Sequence, residues 1–240
     1  AGREVYFSIG PHDRPFRRYR GRDNCWWLGV LGIWNMDTPA PGTEHVTIAV
    51  SGAHGGKTVD FRRLAEQGIT LLGMTSGYGD GTLTIADDLK TNISAGDDNY
   101  RSLMKAADEY IERTGIDLPP EPEAWDIPDD PACVANPIRS LNLAERGITT
   151  VIWATGFKFD YGWLHAEGAV DDIGRPVHQR GVSEVPGLYF VGLPWQSRRG
   201  SSFIWGVWHD AKFVVDQIAI QQSYLEHHLR SASIGAKRAS

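Results

Sequence analysis

Two short apolar runs that end in small residues are the parts of the sequence whose residue types and spacing suit ligand-binding chemistry. The first, residues 149–157 (TTVIWATGF), turns at Gly156, and the second, residues 185–194 (VPGLYFVGLP), turns at Gly192. Small residues let a backbone pass close to another group, and glycine permits a sharp change of direction. We interpret each run as a buried strand followed by a tight turn, the first in a parallel sheet. An ordinary core strand with no ligand has the same pattern.

A predicted helix start follows the second run. Ser201 and Ser202 are favourable N-cap residues, and a helical pattern then runs from Phe203 to about Gln221. The first N–H groups of a helix have no partner within the helix. A strand, a small-residue turn and a helix start therefore form a corner that can bind an anion or a carbonyl group.

Taken together, the two runs resemble the C-terminal half of the flavin-containing monooxygenases, the class B flavoprotein monooxygenases and their bacterial FAD-dependent relatives. Residues 154–157 match the A-T-G-[FY] signature that links the flavin domain to the nicotinamide-nucleotide domain in this family. Residues 187–192 match the last strand of its flavin domain, and the resemblance extends from Val5 to about Ile218. It implies an α/β fold: the remainder of a flavoprotein with two dinucleotide-binding domains, a three-layer FAD domain and an NADPH domain.

The resemblance also implies a reaction. NADPH reduces FAD, and the reduced flavin reacts with O2 to give a C4a-hydroperoxide that oxygenates a small organic substrate at nitrogen, sulfur or a ketone. No side chain has to act as the nucleophile, so the sequence assigns no catalytic residue and no metal ligand. Trp195 is expected nearest the flavin ring, and the helix start is expected to face the edge of the ring that becomes negative on reduction. The residues expected at the flavin are Ala154, Thr155, Gly156, Gly192, Leu193, Pro194, Trp195, Ser201 and Ser202.

Two other functions stay open. One is an FAD-dependent NAD(P)H reductase or dehydrogenase that passes electrons on without oxygenation. The other is a non-catalytic fragment of such a flavoprotein. Release of peroxide, compared with incorporation of oxygen into a substrate, separates the first alternative from a monooxygenase.

An arginine-rich loop follows the first predicted strand, with five arginines between residues 14 and 22. A solvated loop is one interpretation of this charge. The other depends on position, because the end of the second strand of a dinucleotide fold is where the adenosine ribose is recognised, and arginine there can bind a 2′-phosphate. The resemblance assigns this role to Ser8, Arg14, Arg17 and Arg18. No acidic residue stands at the strand tip, which favours NADPH over NADH.

Neither of the family's two glycine-rich dinucleotide loops is found in the sequence. Gly77, Gly79 and Gly81 lack the third glycine at the required spacing, and a strand pattern follows them instead of a helix. We interpret them as a hairpin turn between residues 69–75 and 82–85. The sequence is therefore expected to be the C-terminal part of a larger protein whose N-terminal portion helps to hold FAD.

The predicted domain order follows from these assignments. Residues 1–118 are expected to be the C-terminal part of the NADPH-binding domain, and residues 148–228 the C-terminal part of the FAD-binding domain. Between them, residues 119–147 form an acidic, proline-rich connector, and residues 229–240 a frayed tail. Helices are predicted at Asp23–Met36 and at Ala95–Arg113, the second ending at Gly115.

Composition limits the class of protein. The 240 residues carry a net charge of −6, which argues against a nucleic-acid or membrane-surface partner. No apolar run approaches the roughly 18 residues needed to cross a bilayer. Two cysteines without a C-x-x-C pair suit a reducing cytoplasm. The expected partners are a small-molecule substrate, O2 and a possible second copy of the chain.

Overall fold

The computed structural model describes residues 2–40 and 48–238, with side chains as far as residue 230. The described chain divides into two compact units. The first contains residues 2–31 and 48–154, and the second contains residues 32–40 and 155–238. Both units contain strands and helices, so the chain is mixed α/β. That these units are parts of two dinucleotide-binding domains stays a prediction.

The first unit contains nine strands and four α-helices within its described residues. In chain order they are β1 (Val5–Ser8), β2 (Arg18–Tyr19), β3 (Arg22–Asp23), α1 (Asn24–Val30), β4 (Val50–Ser51), β5 (Lys57–Thr58), α2 (Phe61–Glu66), β6 (Ile69–Leu72), β7 (Thr75–Gly79), β8 (Thr82–Ile85), α3 (Leu89–Thr114), α4 (Ala132–Ala135) and β9 (Ser140–Asn142). Short 3-10 helices lie at Ala53–Gly55 and Pro122–Trp125.

β1 and β6 form a parallel pair, with Val5 opposite Ile69 and Ser8 opposite Leu72. The first predicted strand is therefore confirmed, and it is paired as in a βαβ arrangement. Apolar side chains from this pair, α2, α3 and α4 form one core, which includes Leu71 and Ile93. Burying these side chains fixes the end of β1, where the arginine-rich loop begins.

A second, aromatic core lies between the arginine-rich loop, α1 and α3. Phe16, Trp27, Met104 and Ala107 are its fully buried members. The predicted helix Asp23–Met36 is shorter than expected, because α1 ends at Val30 and Gly32 adopts a left-handed φ of 73° before a 3-10 helix at Ile33–Asn35. An L side chain rarely adopts that φ, so the chain changes direction there.

Local patterns predicted the hairpin turn and the long helix. β7 and β8 pair antiparallel around Asp80-Gly81, and β9 pairs with the other edge of β8. The upstream strand is not continuous over residues 69–75, because β6 pairs with β1 and β7 begins at Thr75. α3 covers the predicted helix and ends at Gly115, whose φ is 67°.

The second unit is built on a long helix. Its elements are the 3-10 helix Ile33–Asn35, the hairpin β10 (His178–Gln179) and β11 (Val182–Ser183), the 3-10 helix Arg199–Ser202 and α5 (Val207–Arg238). Trp34, Phe190 and Val214 are buried here. Residues 171–175 form a turn, across which Val170 and Pro176 make an antiparallel bridge.

The two apolar runs are not strands, which corrects the prediction. No backbone hydrogen bond joins residues 149–157 to any other described residue, and Ile152 and Trp153 are 83% and 75% exposed. In residues 185–194, Tyr189 makes a single bridge to Val182. A strand forms only where a neighbouring strand satisfies its backbone groups. The described chain offers the first run no such neighbour, and it offers the second run only this one bridge to β11.

The predicted domain bounds stay a prediction, and the two compact units have bounds of their own. The first unit continues through the predicted connector to residue 154, and Val134 and Leu141 of that connector are buried. The predicted tail is helical as far as Arg238, and residues 1, 239 and 240 lie outside the described residues. Among the described helices, none combines the length and apolar character needed to cross a bilayer.

Candidate functional site

The turn at Gly192 and the start of α5 lie against each other in the second unit. Gly192 has a φ of 87°, and a Cβ built on it would lie 3.9 Å from Val207 Cγ2. α5 begins at Val207, after the 3-10 helix Arg199–Ser202, rather than at the predicted Phe203. The glycine turn and helix start that the sequence predicted as one corner are therefore adjacent.

Trp195 lies in this turn with a strained backbone. Its φ is 54°, a left-handed value that bulky L residues rarely adopt. Gln196 N donates to Leu193 O at 3.2 Å to close the turn, and Thr38 Oγ1 donates to Trp195 O at 2.8 Å. Such strain persists only where the surroundings hold it, and it is concentrated at functional sites.

The buried side chain of Gln196, for which the sequence gives no local signal, stabilises the turn by hydrogen bonds to its backbone. Its buried amide Nε2 donates to Phe190 O at 2.9 Å, and its Oε1 accepts from Leu193 N at 3.2 Å. These two bonds fix the backbone on both sides of Gly192. A sequence pattern does not reveal such a side chain, because its role depends on folding back over the turn.

Two glycines and a buried serine shape the start of α5. A Cβ on Gly206 would lie 2.4 Å from Gly200 O, so the backbones touch at a distance that only glycine allows. Ser201 is fully buried, and its Oγ accepts from Ser197 N and Arg198 N, both at 3.1 Å. Ser201 therefore holds the turn, while Ser202 is exposed beside it.

A buried carboxylate lies in the first turns of α5. Asp210 is fully buried, and no described donor reaches hydrogen-bond distance of either oxygen. Arg180 Nε is 3.6 Å from Asp210 Oδ1. Burial lowers the pKa of His178, and the Asp210 charge opposes that change. The sequence analysis missed this cluster, since its members are about 30 residues apart.

Residues 154–156 are exposed, and the space around Gly156 is open. Gly156 has a φ of 91°, and nothing lies within 4 Å of a Cβ built on it. Thr155 and Gly156 begin the second unit, whereas Ala154 ends the first. That Gly156 and Gly192 border a single flavin ring stays a prediction.

The residues expected to recognise NADPH lie near one another in sequence but differ in exposure. Arg14 is buried, with Nη2 2.7 Å from Asp97 Oδ1 and its guanidinium over the Tyr100 ring. Arg17 pairs with Asp23. Both guanidinium groups are bound by carboxylates, and these ion pairs stabilise the conformation of the loop.

Arg18 and Ser8 are the exposed members of that set. Arg18 Nη2 donates to Gly55 O at 3.0 Å. Ser8 Oγ donates to Gly73 O at 2.9 Å and accepts from Thr75 N at 3.0 Å, so it joins the ends of β1 and β7. Among the described residues, no three His, Cys, Asp or Glu side chains group closely enough to hold a metal ion.

A 71-residue segment of this chain is similar to bacterial proteins named oxidoreductases. It is 54% identical to an uncharacterized oxidoreductase CzcO-like of Geobacillus kaustophilus and to an uncharacterized oxidoreductase CzcO of Bacillus velezensis, and 49% identical to the CzcO protein of Bacillus subtilis. The match covers 30% of this chain and only 20–21% of each relative's length. No protein-family profile and no solved structure matches the chain.

Proposed function

We propose that this chain forms part of an FAD-dependent NADPH oxidoreductase, a monooxygenase in which the flavin ring binds at the corner of residues 192–202 and the start of α5. The observation that carries the oxidoreductase assignment is the identity of up to 54% over 71 residues with proteins of that name. The corner supports the choice of cofactor, because a flat ring needs a backbone that it can approach closely.

The residues of the corner fit such a ring. Gly192 has no side chain of its own and lies against the Val207 side chain at the helix start, and Gln196 fixes the turn on both sides of it. The start of α5 carries a partial positive charge, which suits the flavin edge that becomes negative on reduction. Bound FAD would accept hydride and activate O2. The residues of the chain would orient the ring, hold Trp195 beside it and keep water out.

The NADPH contact is proposed at the exposed side of the arginine-rich loop. Arg18 presents its guanidinium at the surface, where it can bind a phosphate with two parallel hydrogen bonds. Arg14, in the same loop, is held in buried ion pairs, and its proposed role is to fix the loop. Ser8 lies at the end of β1, where a ribose is recognised in dinucleotide folds.

A further portion of polypeptide is proposed as a partner in cofactor binding. The 240 residues contain no glycine-rich dinucleotide loop, and the pyrophosphate of FAD or NADPH is usually held by one. Residues 149–157 are apolar and exposed, with backbone groups that no described residue bonds. We propose that an N-terminal portion of the same protein covers this run and supplies the loop, in a reducing cytoplasm.

The assay for this function follows NADPH oxidation by the chain joined to its N-terminal portion, with saturating FAD and an organic sulfide under isotope-labelled O2. A monooxygenase gives FAD-dependent NADPH oxidation and label in the sulfoxide. Peroxide equal to the NADPH consumed, with no label in product, would assign the reductase alternative. No NADPH oxidation at any FAD concentration would assign a non-catalytic fragment.

A further inference from the structure

The outer face of α5 carries an apolar stripe with a seven-residue repeat. Apolar side chains recur at the two positions of the repeat that form a helix-pairing seam: Trp208, Ala211, Val215, Ile218, Leu225 and Leu229. Val215 and Leu229 are 61% and 72% exposed. At 1.5 Å per residue the stripe is roughly 32 Å long, which is three heptads.

The stripe borders the face that α5 packs against its own unit: Ala211 and Ile218 are half-buried, whereas Trp208, Val215, Leu225 and Leu229 are exposed. Asp210 and Val214 are buried on that inner face, and Gln221 there accepts a hydrogen bond from the Tyr189 hydroxyl. A surface helix in a globular protein needs only one apolar face to fold. Exposed apolar residues that continue beside that face at heptad spacing are the pattern of a helix that pairs with another helix.

The charges beside the stripe indicate which helix fits it. Lys212 and Glu226 lie on the same flank and are each seven residues from Ala219. If two copies of α5 pair antiparallel about Ala219, Lys212 of each copy faces Glu226 of the other, so two complementary pairs form. In a parallel pair the two residues would be roughly 21 Å apart along the axis, which is too far for contact.

We propose that two copies of this chain associate through antiparallel pairing of α5 along this stripe. Ala219 lies near the two-fold axis, where a small side chain lets the helices approach closely. Gln222 is the one polar residue at a seam position between Trp208 and Leu229, and a single buried polar residue fixes the register of paired helices. This association is independent of the proposed oxidoreductase activity.

The test reverses one charge at a time in the whole chain and measures molar mass by light scattering across a dilution series. The wild-type chain is expected to be a dimer that dissociates on dilution. Lys212→Glu places like charges at both contacts, and Glu226→Lys does the same. Each variant alone is therefore expected to be monomeric at concentrations where the wild type is a dimer. An equimolar mixture restores both complementary pairs and is expected to give a heterodimer.

Matched controls separate pairing from helix stability. Lys212 pairs with Asp216 at 2.7 Å within the helix, and Lys105 pairs with Glu109 at the same i, i+4 spacing on α3. Lys105→Glu and Glu109→Lys therefore make the same local change away from the stripe and are expected to leave the dimer intact. A monomeric wild-type chain, variants as dimeric as wild type, or a mixture that stays monomeric would each overturn the proposal.

Discussion

Asp97 is bound by two buried arginines in the first unit. Arg14 Nη2 and Arg62 Nη2 lie 2.7 Å and 2.8 Å from its two oxygens, and Arg62 also contacts Asp130 at 2.9 Å. Ions removed from water are stable only when they are fully paired, so each member of this group depends on the others. The group joins the arginine-rich loop, α2 and α3, and thereby fixes the loop on which Arg18 is displayed.

Asp97→Ala is expected to lower the free energy of unfolding by about 3–5 kcal/mol, because it leaves two buried guanidinium groups without their shared carboxylate. Urea denaturation followed by tryptophan fluorescence measures this change. Glu109→Ala is the control, since Glu109 is an exposed partner of Lys105, and its expected cost is below about 0.5 kcal/mol. Equal costs for the two variants would show that the buried group does not stabilise the loop.

At the scale of elements, the β10–β11 hairpin and α5 bring His178 and Arg180 close to Asp210 in the second unit. Gly181 N donates to His178 Nδ1 at 3.1 Å, and the ring lies near Phe190. The charged group that acts on the ring is Asp210, which lies 3.6 Å from Arg180 Nε. Burial lowers the pKa of His178 below its ordinary value of 6.5, so the folded unit favours the neutral ring.

A lowered histidine pKa makes stability fall in acid. The unfolded chain binds the proton more readily, so the stabilisation is complete above pH 6.5 and is lost as pH falls through the folded pKa. The unfolding midpoint of the second unit is expected to drop between neutral pH and about pH 5, and His178→Gln is expected to flatten that slope. His165→Gln, at an exposed position, should keep it. An unchanged slope in His178→Gln would contradict this explanation.

Elements set by local chemistry were predictable from the sequence. α3 and its end at Gly115 follow from helical periodicity and a left-handed glycine, and the turn at Asp80-Gly81 follows from its residue types. Residues 149–157 have the composition of a strand but lack a partner in the described chain, and pairing is a long-range condition. Sequence periodicity does not identify a strand's neighbour, so the pairing of β6 with β1 could not be predicted either.

In the candidate site too, residues with local sequence signals were predictable, and residues whose role depends on long-range contacts were not. Gly192 and Ser201 were identified because glycine and serine carry local signals for turns and helix starts. Gln196 and Asp210 were missed, since their importance comes from burial against segments distant in sequence. Arg14 was predicted at the nucleotide, and only the fold reveals that Asp60 and Asp97 hold its guanidinium.

At the scale of the whole molecule, the proposed oxidoreductase activity requires a flavin ring at the corner of the second unit. Riboflavin has the flavin ring but no pyrophosphate, so its binding does not require a glycine-rich dinucleotide loop. Titration with riboflavin therefore tests the corner alone. We expect saturable quenching of riboflavin fluorescence by the chain, with affinity weakened about threefold to tenfold in Trp195→Ala, the range for loss of one aromatic contact. Trp125→Ala, in the first unit, should bind as the wild type does. Absence of saturable quenching, or equal affinity in Trp195→Ala and wild type, would contradict the account.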